Sequence, residues 1–206
     1  VSNFGIKALE KTDYVFVSDL FKEQYIGGAE LSLGAIIEDC TQSKTCINSG
    51  ELNKKIIDFY KESTWVFGNI ADLNTELIQY IMDNNINYHF IEFDYKYCEY
   101  RNPELYKFLE DEECDYLETE KGKLIQKFIN NSKNTFFMSG EQKEIFKNHL
   151  KLENENLTVL SSIFSDESIT KIESLMNTEK NDKWIVLGSR SWVKGSQQSE
   201  VLSILI

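Results

Sequence analysis

Gly27 and Gly28 stand where a ligand could come close to the backbone, between an apolar run at residues 14–18 and a helical pattern that begins at Ala29. Glycines at such a turn remove the side chains that would keep a ligand away. The free N–H groups at a helix start attract phosphate or carboxylate. Glu30 complements the positive end of that helix. The same pair would equally serve a tight turn that packs the helix close to a sheet.

Other chemistry has less material. Residues 110–120 (EDEECDYLETE) are strongly acidic, but no D-x-D follows a strand and no calcium-loop glycine pattern occurs, so the run reads as a solvated loop or helix face. Cys40, Cys46, Cys98 and Cys114 form no C-x-x-C pair and lack zinc spacing, so they read as free thiols of a reducing compartment. No serine sits in a G-x-S-x-G elbow, and two histidines give little support to a Ser-His-Asp hydrolase. Tyr95, Tyr97, Tyr100 and Tyr106, with Arg101, could stack on a sugar ring, though core and loop packing accounts for them as well. No metal ligand set is assigned.

The elements that must position these groups alternate. Residues 14–18 (YVFVS) are a near-continuous apolar run, as in a parallel strand buried on both faces. Leu33, Ile36, Ile37 and Cys40 then recur at helical spacing. Strands are expected at 44–48, 64–70, 88–93, 135–139 and 157–164, and again from Trp184 to Gly188. Helices are expected around Leu52 to Tyr60, Leu73 to Ile81, Leu124 to Ile129 and Glu141 to Leu150, and in a last pattern from Ser196 onward. In the helix at 141–150, Ile145, Phe146, His149 and Leu150 are read as the apolar face. Strands alternating with single helices predict an α/β fold, a Rossmann-like parallel sheet with helices on both faces. Residues 171–183 are polar and weakly periodic, which makes them the best boundary. The expected division is 1–178 and 179–206.

Of 206 residues, 41% are hydrophobic and 13% aromatic, enough for a sizeable core. A net charge of −12 argues against nucleic acid and against an anionic membrane surface, while leaving room for a local basic pocket. No run reaches the ~18–20 apolar residues of a membrane span, and no signal-peptide pattern is present, so a cytoplasmic setting is expected. The apolar end, VLSILI, reads as a helix cut short, as in a fragment of a longer protein.

The order of strand, loop, GGAE and amphipathic helix in residues 14–37 resembles the N-terminal domain of GT-B glycosyltransferases, in particular the large retaining family (glycosyltransferase family 4-like). NTFFMSGEQKEIFKNHL (134–150) looks like that family's late strand and helix, and LTVLSSIF (157–164) like its last N-domain strand. WIVLGSRSWVKGSQQS (184–199) looks like the opening of the nucleotide-sugar-binding domain, although residues 179–206 could also be a last βα unit of the same sheet.

The resemblance implies that Gly27 and Gly28 approach the donor diphosphate and that Arg190 and Lys194 hold it, with Gly195 completing the K-G pair. Fixed cations and helix N-termini would stabilise such a leaving group without a metal or other cofactor. In a loop, Arg190 and Lys194 would also serve as ordinary solvated charges. Where the family commonly has a histidine, this chain has Glu92 or Asp94. His89 lies within the strand and reads as sheet packing. Asp94, at the strand's carboxyl end, is the candidate catalytic or acceptor-touching residue, with a capped turn as its structural alternative.

The family's late paired glutamates have no counterpart in these 206 residues. The resemblance therefore implies a glycosyltransferase, or a fragment of one, acting on a nucleotide-sugar and a glycan or lipid-linked acceptor. It allows peripheral membrane association and a partner subunit. The alternatives are a non-catalytic acceptor- or partner-binding module and an unrelated nucleotide-binding Rossmann-like protein. The last is disfavoured by the missing G-x-G-x-x-G.

Overall fold

β-Branched and aromatic runs form six strands in the computed structural model, which describes residues 10–176. They are β1 (Tyr14–Ser18), β2 (Lys44–Asn48), β3 (Thr64–Phe67), β4 (Tyr88–Glu92), β5 (Thr135–Phe137) and β6 (Leu157–Val159). All pair in parallel, in the order β2-β1-β3-β4-β5-β6. The expected α/β fold is therefore the one formed. Tyr14 is in register with Lys44 on one side and Thr64 on the other, so β1 is the strand from which the sheet grows both ways. Connections leaving β1 and β3 diverge there, and open α/β sheets take their ligands at that reversal, outside the strands' carboxyl ends.

The helices are α1 (Gly28–Asp39), α2 (Lys54–Phe59), α3 (Thr75–Asp83), α4 (Pro103–Glu110), α5 (Glu120–Asn131), α6 (Gly140–His149) and α7 (Asp166–Met176). Several begin at a side chain that accepts a backbone N–H: Asn53 from Ile56, Asn74 from Glu76, Asn102 from Leu105, Thr119 from Gly122 and Ser139 from Gln142. Each cap satisfies one of the donors a helix start leaves open, and its loss typically costs about 1 kcal/mol.

Alternation along the strands sorts the core into two. Val15, Val17, Trp65, Phe67, Tyr88, Phe90 and Phe137 face a large aromatic cluster built with α2, α3, α5 and α6. Phe128 of α5 is central, with its ring centroid 4.5 Å from Tyr88, 5.3 Å from Phe90 and 5.4 Å from Phe67. The polar atoms of these rings are satisfied: Trp65 Nε1 donates to the Tyr60 carbonyl at 3.0 Å, and the Tyr88 hydroxyl to that of Phe128 at 2.5 Å. On the other face, Phe16, Val66 and Ile91 meet Phe21 and Leu33 of the α1 side in a smaller cluster.

Some expected boundaries move. The strand expected at 157–164 stops at Val159, because Leu160 and Ser161 both donate to the Phe137 carbonyl and Ser161 turns into the left-handed region (φ 63°). β3 stops at Phe67 rather than Ile70. Leu52 is buried ahead of α2, not on it. α4 lies inside the tyrosine-rich acidic stretch, started by Asn102 and by Pro103 in its first turn. His149, expected on the apolar face of α6, is exposed and stacks on Tyr116 at 5.1 Å.

The chain divides into two units, residues 1–166 and 167–206. The sheet belongs to the first. In the second, α7 carries Ile169, Ile172 and Leu175 at three-residue spacing through a stretch read as weakly periodic. The expected boundary at 178/179, the strand from Trp184 and the final helical pattern lie outside the described residues.

Candidate functional site

At the carboxyl edge of the sheet, the turns leaving neighbouring strands are tied together by side chains. Asp19, one residue beyond β1, accepts from the N–H groups of Ala71 (2.8 Å) and Asp72 (3.0 Å) and from the Ser49 hydroxyl. Its own N–H donates to the Asn69 carbonyl at 2.6 Å, and Asn48 Nδ2 donates to its carbonyl at 2.8 Å. One aspartate thus joins the ends of β1, β2 and β3.

A second network runs from β4. Glu92, Phe90 and Tyr88 share the large-core face of that strand, which takes the Glu92 carboxyl out of water altogether. Glu92 Oε1 accepts from Lys96 Nζ at 2.9 Å and from the Asp94 N–H at 3.0 Å, while Oε2 is buried without a hydrogen-bond partner. Burial pushes the carboxyl up to about 7; Lys96 pulls it back and the neighbouring Asp94 adds to the rise. Lys96, itself buried, also lies 3.4 Å from Asp94 Oδ1. The other Asp94 oxygen accepts from Arg101, whose guanidinium also donates to Asn69 Oδ1 at 2.7 Å. Arg101 holds a left-handed backbone (φ 55°), unusual for a residue other than glycine, asparagine or aspartate. Its side chain bridges the ends of β3 and β4. From the first turn of α6, Gln142 Nε2 reaches the Asp94 carbonyl at 2.8 Å.

Beside this network, between α3 and α5, is a cavity of about 640 Å³. One wall is apolar: Ile70, Leu73, Ile78, Leu124 and Ile125. Lys96 and Arg101 line it from the strand ends, and Lys121, Lys123 and Lys127 from α5, against the two carboxylates of Glu76 and Glu120. A chain of net charge −12 therefore gathers five cations around one concavity. The volume falls within the ~300–1,000 Å³ of small-molecule pockets.

Gly27 and Gly28 do open α1 beyond β1, as N-cap and first helical residue, and no side chain caps the helix start. The two differ. A Cβ on Gly27 would lie 2.8 Å from the Tyr25 ring, so glycine there accommodates the loop. A Cβ on Gly28 would meet nothing within 4 Å, so close packing does not explain a glycine at that position. Asp94 stands just past β4 as expected, with both carboxylate oxygens engaged by Lys96 and Arg101. Arg190 and Lys194 lie outside the described residues. The structure thus brings Asp94 together with Glu92, Lys96 and Arg101.

Sequence reasoning misses Asp19, Asn69 and Lys96, and singles out Arg101 only as a neighbour of tyrosines. One signal was available: Asp19 immediately follows the most apolar strand, where ligands of such sheets gather. His89 packs in the sheet as expected. It is half-buried, with Nδ1 3.2 Å from Asn134 Nδ2, and burial followed by the charge of Lys133 lowers its pKa. Of the tyrosines, Tyr97 is buried against Phe146 and Tyr116, and Tyr95 stacks on Phe146.

Among the described residues, all four cysteines are free thiols, no group of three or more His, Cys, Asp or Glu is placed to hold a metal ion, and no helix is long and apolar enough to cross a membrane. No protein-family model, curated protein or solved structure matches the chain.

Proposed function

We propose that this chain is the acceptor-side, Rossmann-like part of a glycosyltransferase that moves a sugar from a nucleotide-sugar to a glycan or lipid-linked acceptor. The observation that carries the ligand-binding half of this reading is the convergence of Asp19, Asn69, Glu92, Asp94, Lys96 and Arg101 at the carboxyl edge of the sheet, beside a cavity of about 640 Å³. The sugar-transfer half rests on the ordered resemblance of residues 14–37, 134–150, 157–164 and 184–199 to GT-B enzymes. In this reading the exposed backbone at Gly28 faces the donor diphosphate, and Arg190 and Lys194 supply its positive charge. Asp94, with both oxygens held by cations, orients Arg101 at the acceptor side rather than moving a proton. That same engagement favours, as a second reading, a module that binds an acceptor or a partner subunit without itself catalysing transfer.

The test uses the protein purified from its native source, offered uridine, guanosine and thymidine diphosphate sugars with and without glycan and lipid-linked acceptors. Release of nucleoside diphosphate that depends on acceptor is the expected result. It should fall roughly 10- to 100-fold in R190A and K194A. Gly28→Val should weaken donor binding with little change in Tm, because its side chain enters open space. Acceptor binding without turnover would replace the enzyme reading by the binding module. Binding of a nicotinamide dinucleotide with no response to any sugar nucleotide would overturn both.

A further inference from the structure

We propose that the cavity between α3 and α5 binds a single-chain amphiphilic anion, its apolar chain along Leu73, Ile78 and Leu124 and its anionic group at the lysines of α5. Two observations with different origins point to this. The first is the wall, where Leu73, Ile78 and Ile125 are buried core residues that also line an open concavity of about 640 Å³. Apolar surface left lining a pocket of that size is completed by apolar ligand surface, at roughly 25 cal/mol for each Å² removed from water.

The second is charge. Lys96 and Arg101 are engaged by Glu92 and Asp94, and Lys123 by Glu120 at 3.2 Å. Lys121 and Lys127 form no ion pair among the described residues and line the cavity from exposed positions on α5, with the one remaining lining carboxylate, Glu76, opposite the two of them. An excess of positive charge beside an apolar wall suits one ligand chemistry: an alkyl or prenyl chain ending in phosphate, phosphonate or carboxylate. A purely ionic ligand would leave the wall wet, and a purely apolar one would leave the two lysines unused. Binding needs no sugar donor, so the inference stands or falls separately from glycosyl transfer.

The probe is dodecyl phosphate below its micellar concentration, titrated calorimetrically into the whole chain, with inorganic phosphate and dodecyl maltoside as the headgroup-only and neutral-head controls. One saturable site is expected for dodecyl phosphate, with both controls at least roughly tenfold weaker. The double variant K121E/K127E, altered only at exposed positions, should lose about tenfold in affinity with its circular dichroism unchanged. Leu124→Gln, on the half-buried wall, should weaken dodecyl phosphate and leave the response to inorganic phosphate as it was. Equal binding of inorganic phosphate, equal binding of the maltoside, or indifference to both variants would each overturn the proposal. Binding to phosphatidic acid vesicles without binding of the monomeric probe would also overturn it, assigning the lysines to a membrane surface instead.

Discussion

The two faces of the sheet are built to different specifications. One is a continuous aromatic core against four helices, with Phe67, Phe90 and Tyr88 all in ring contact with Phe128. The other rests on α1 and a handful of side chains, with Phe136, Ile36 and Ile37 only partly buried around it. The difference extends to chemistry. On the crowded face, Glu92 is drawn into the protein beside Phe90, and Lys96 follows it to within 5.7 Å of the Phe90 ring. The sparse face ends at the open backbone of Gly28. A deep core can hold charged groups in fixed positions at its rim, because helices and rings leave them no other place to go. The cavity between α3 and α5 opens at that same rim, walled by Leu73, Ile78 and Ile125 of the large core.

The largest expected effect is on the crowded face. Phe128→Ala removes a ring that three aromatic neighbours surround, and should cost about 3–5 kcal/mol in urea unfolding. Phe136→Ala, on the sparse face, should cost less than half as much. Equal losses would erase the distinction between the faces.

A second, smaller effect should appear with pH. The Glu92 carboxyl has an ordinary value of 4.5 and is raised in the folded chain to about 7, chiefly by burial. Between those values the unfolded chain has released the proton and the folded chain still holds it. The contribution of this group to stability is therefore full below pH ~4.5, declines as pH rises toward about 7, and is constant above that. Urea midpoints of E92Q and the parent, compared from pH 4.5 to 8, should diverge across this window, with the variant showing the flatter profile. Parallel profiles would mean that Lys96 holds Glu92 ionised throughout and that the buried charge pair is complete.

The smallest perturbation is chemical labelling, which leaves the fold untouched. Cys98 and Cys114 sit in the large core, where burial and the hydrogen bond with Cys98 push the Cys114 thiol up to about 12. Cys40 is only partly buried at the edge of the smaller cluster. With iodoacetamide at pH 8, mass spectrometry should find the exposed Cys46 and then Cys40 modified early, and Cys98 and Cys114 modified only after denaturation. Early modification of Cys114 would show that the crowded face opens more readily than its packing implies.

Much of this architecture was written locally. The run YVFVS could be satisfied only by burial on both sides, and the 3.6-residue spacing of Leu33, Ile36 and Ile37 could only line one side of a helix. Alternation of the two then required parallel crossovers. The Asn102-Pro103 start of α4 is equally local, a side-chain cap followed by a proline in the first turn. The early end of β6 was not legible, because it depends on Leu160 and Ser161 competing for the one carbonyl of Phe137 on a neighbouring strand.

The candidate site divides along the same line. The sequence by itself determined where Gly27, Gly28 and Asp94 stand: the glycines at the start of the helix that follows β1, the aspartate just past β4. It could do so because the end of an apolar run marks where a strand stops, and a following apolar spacing of 3.6 residues marks where a helix starts. Only the tertiary structure decided that Asp94 would be held by Arg101 from seven residues on, that Arg101 would reach Asn69 across to β3, and that α5 would bring Lys121 and Lys127 to a cavity walled by α3. Those partners are set by which strands become neighbours and how closely two helices approach. Both follow from packing the whole core, and no local run of residues contains that information.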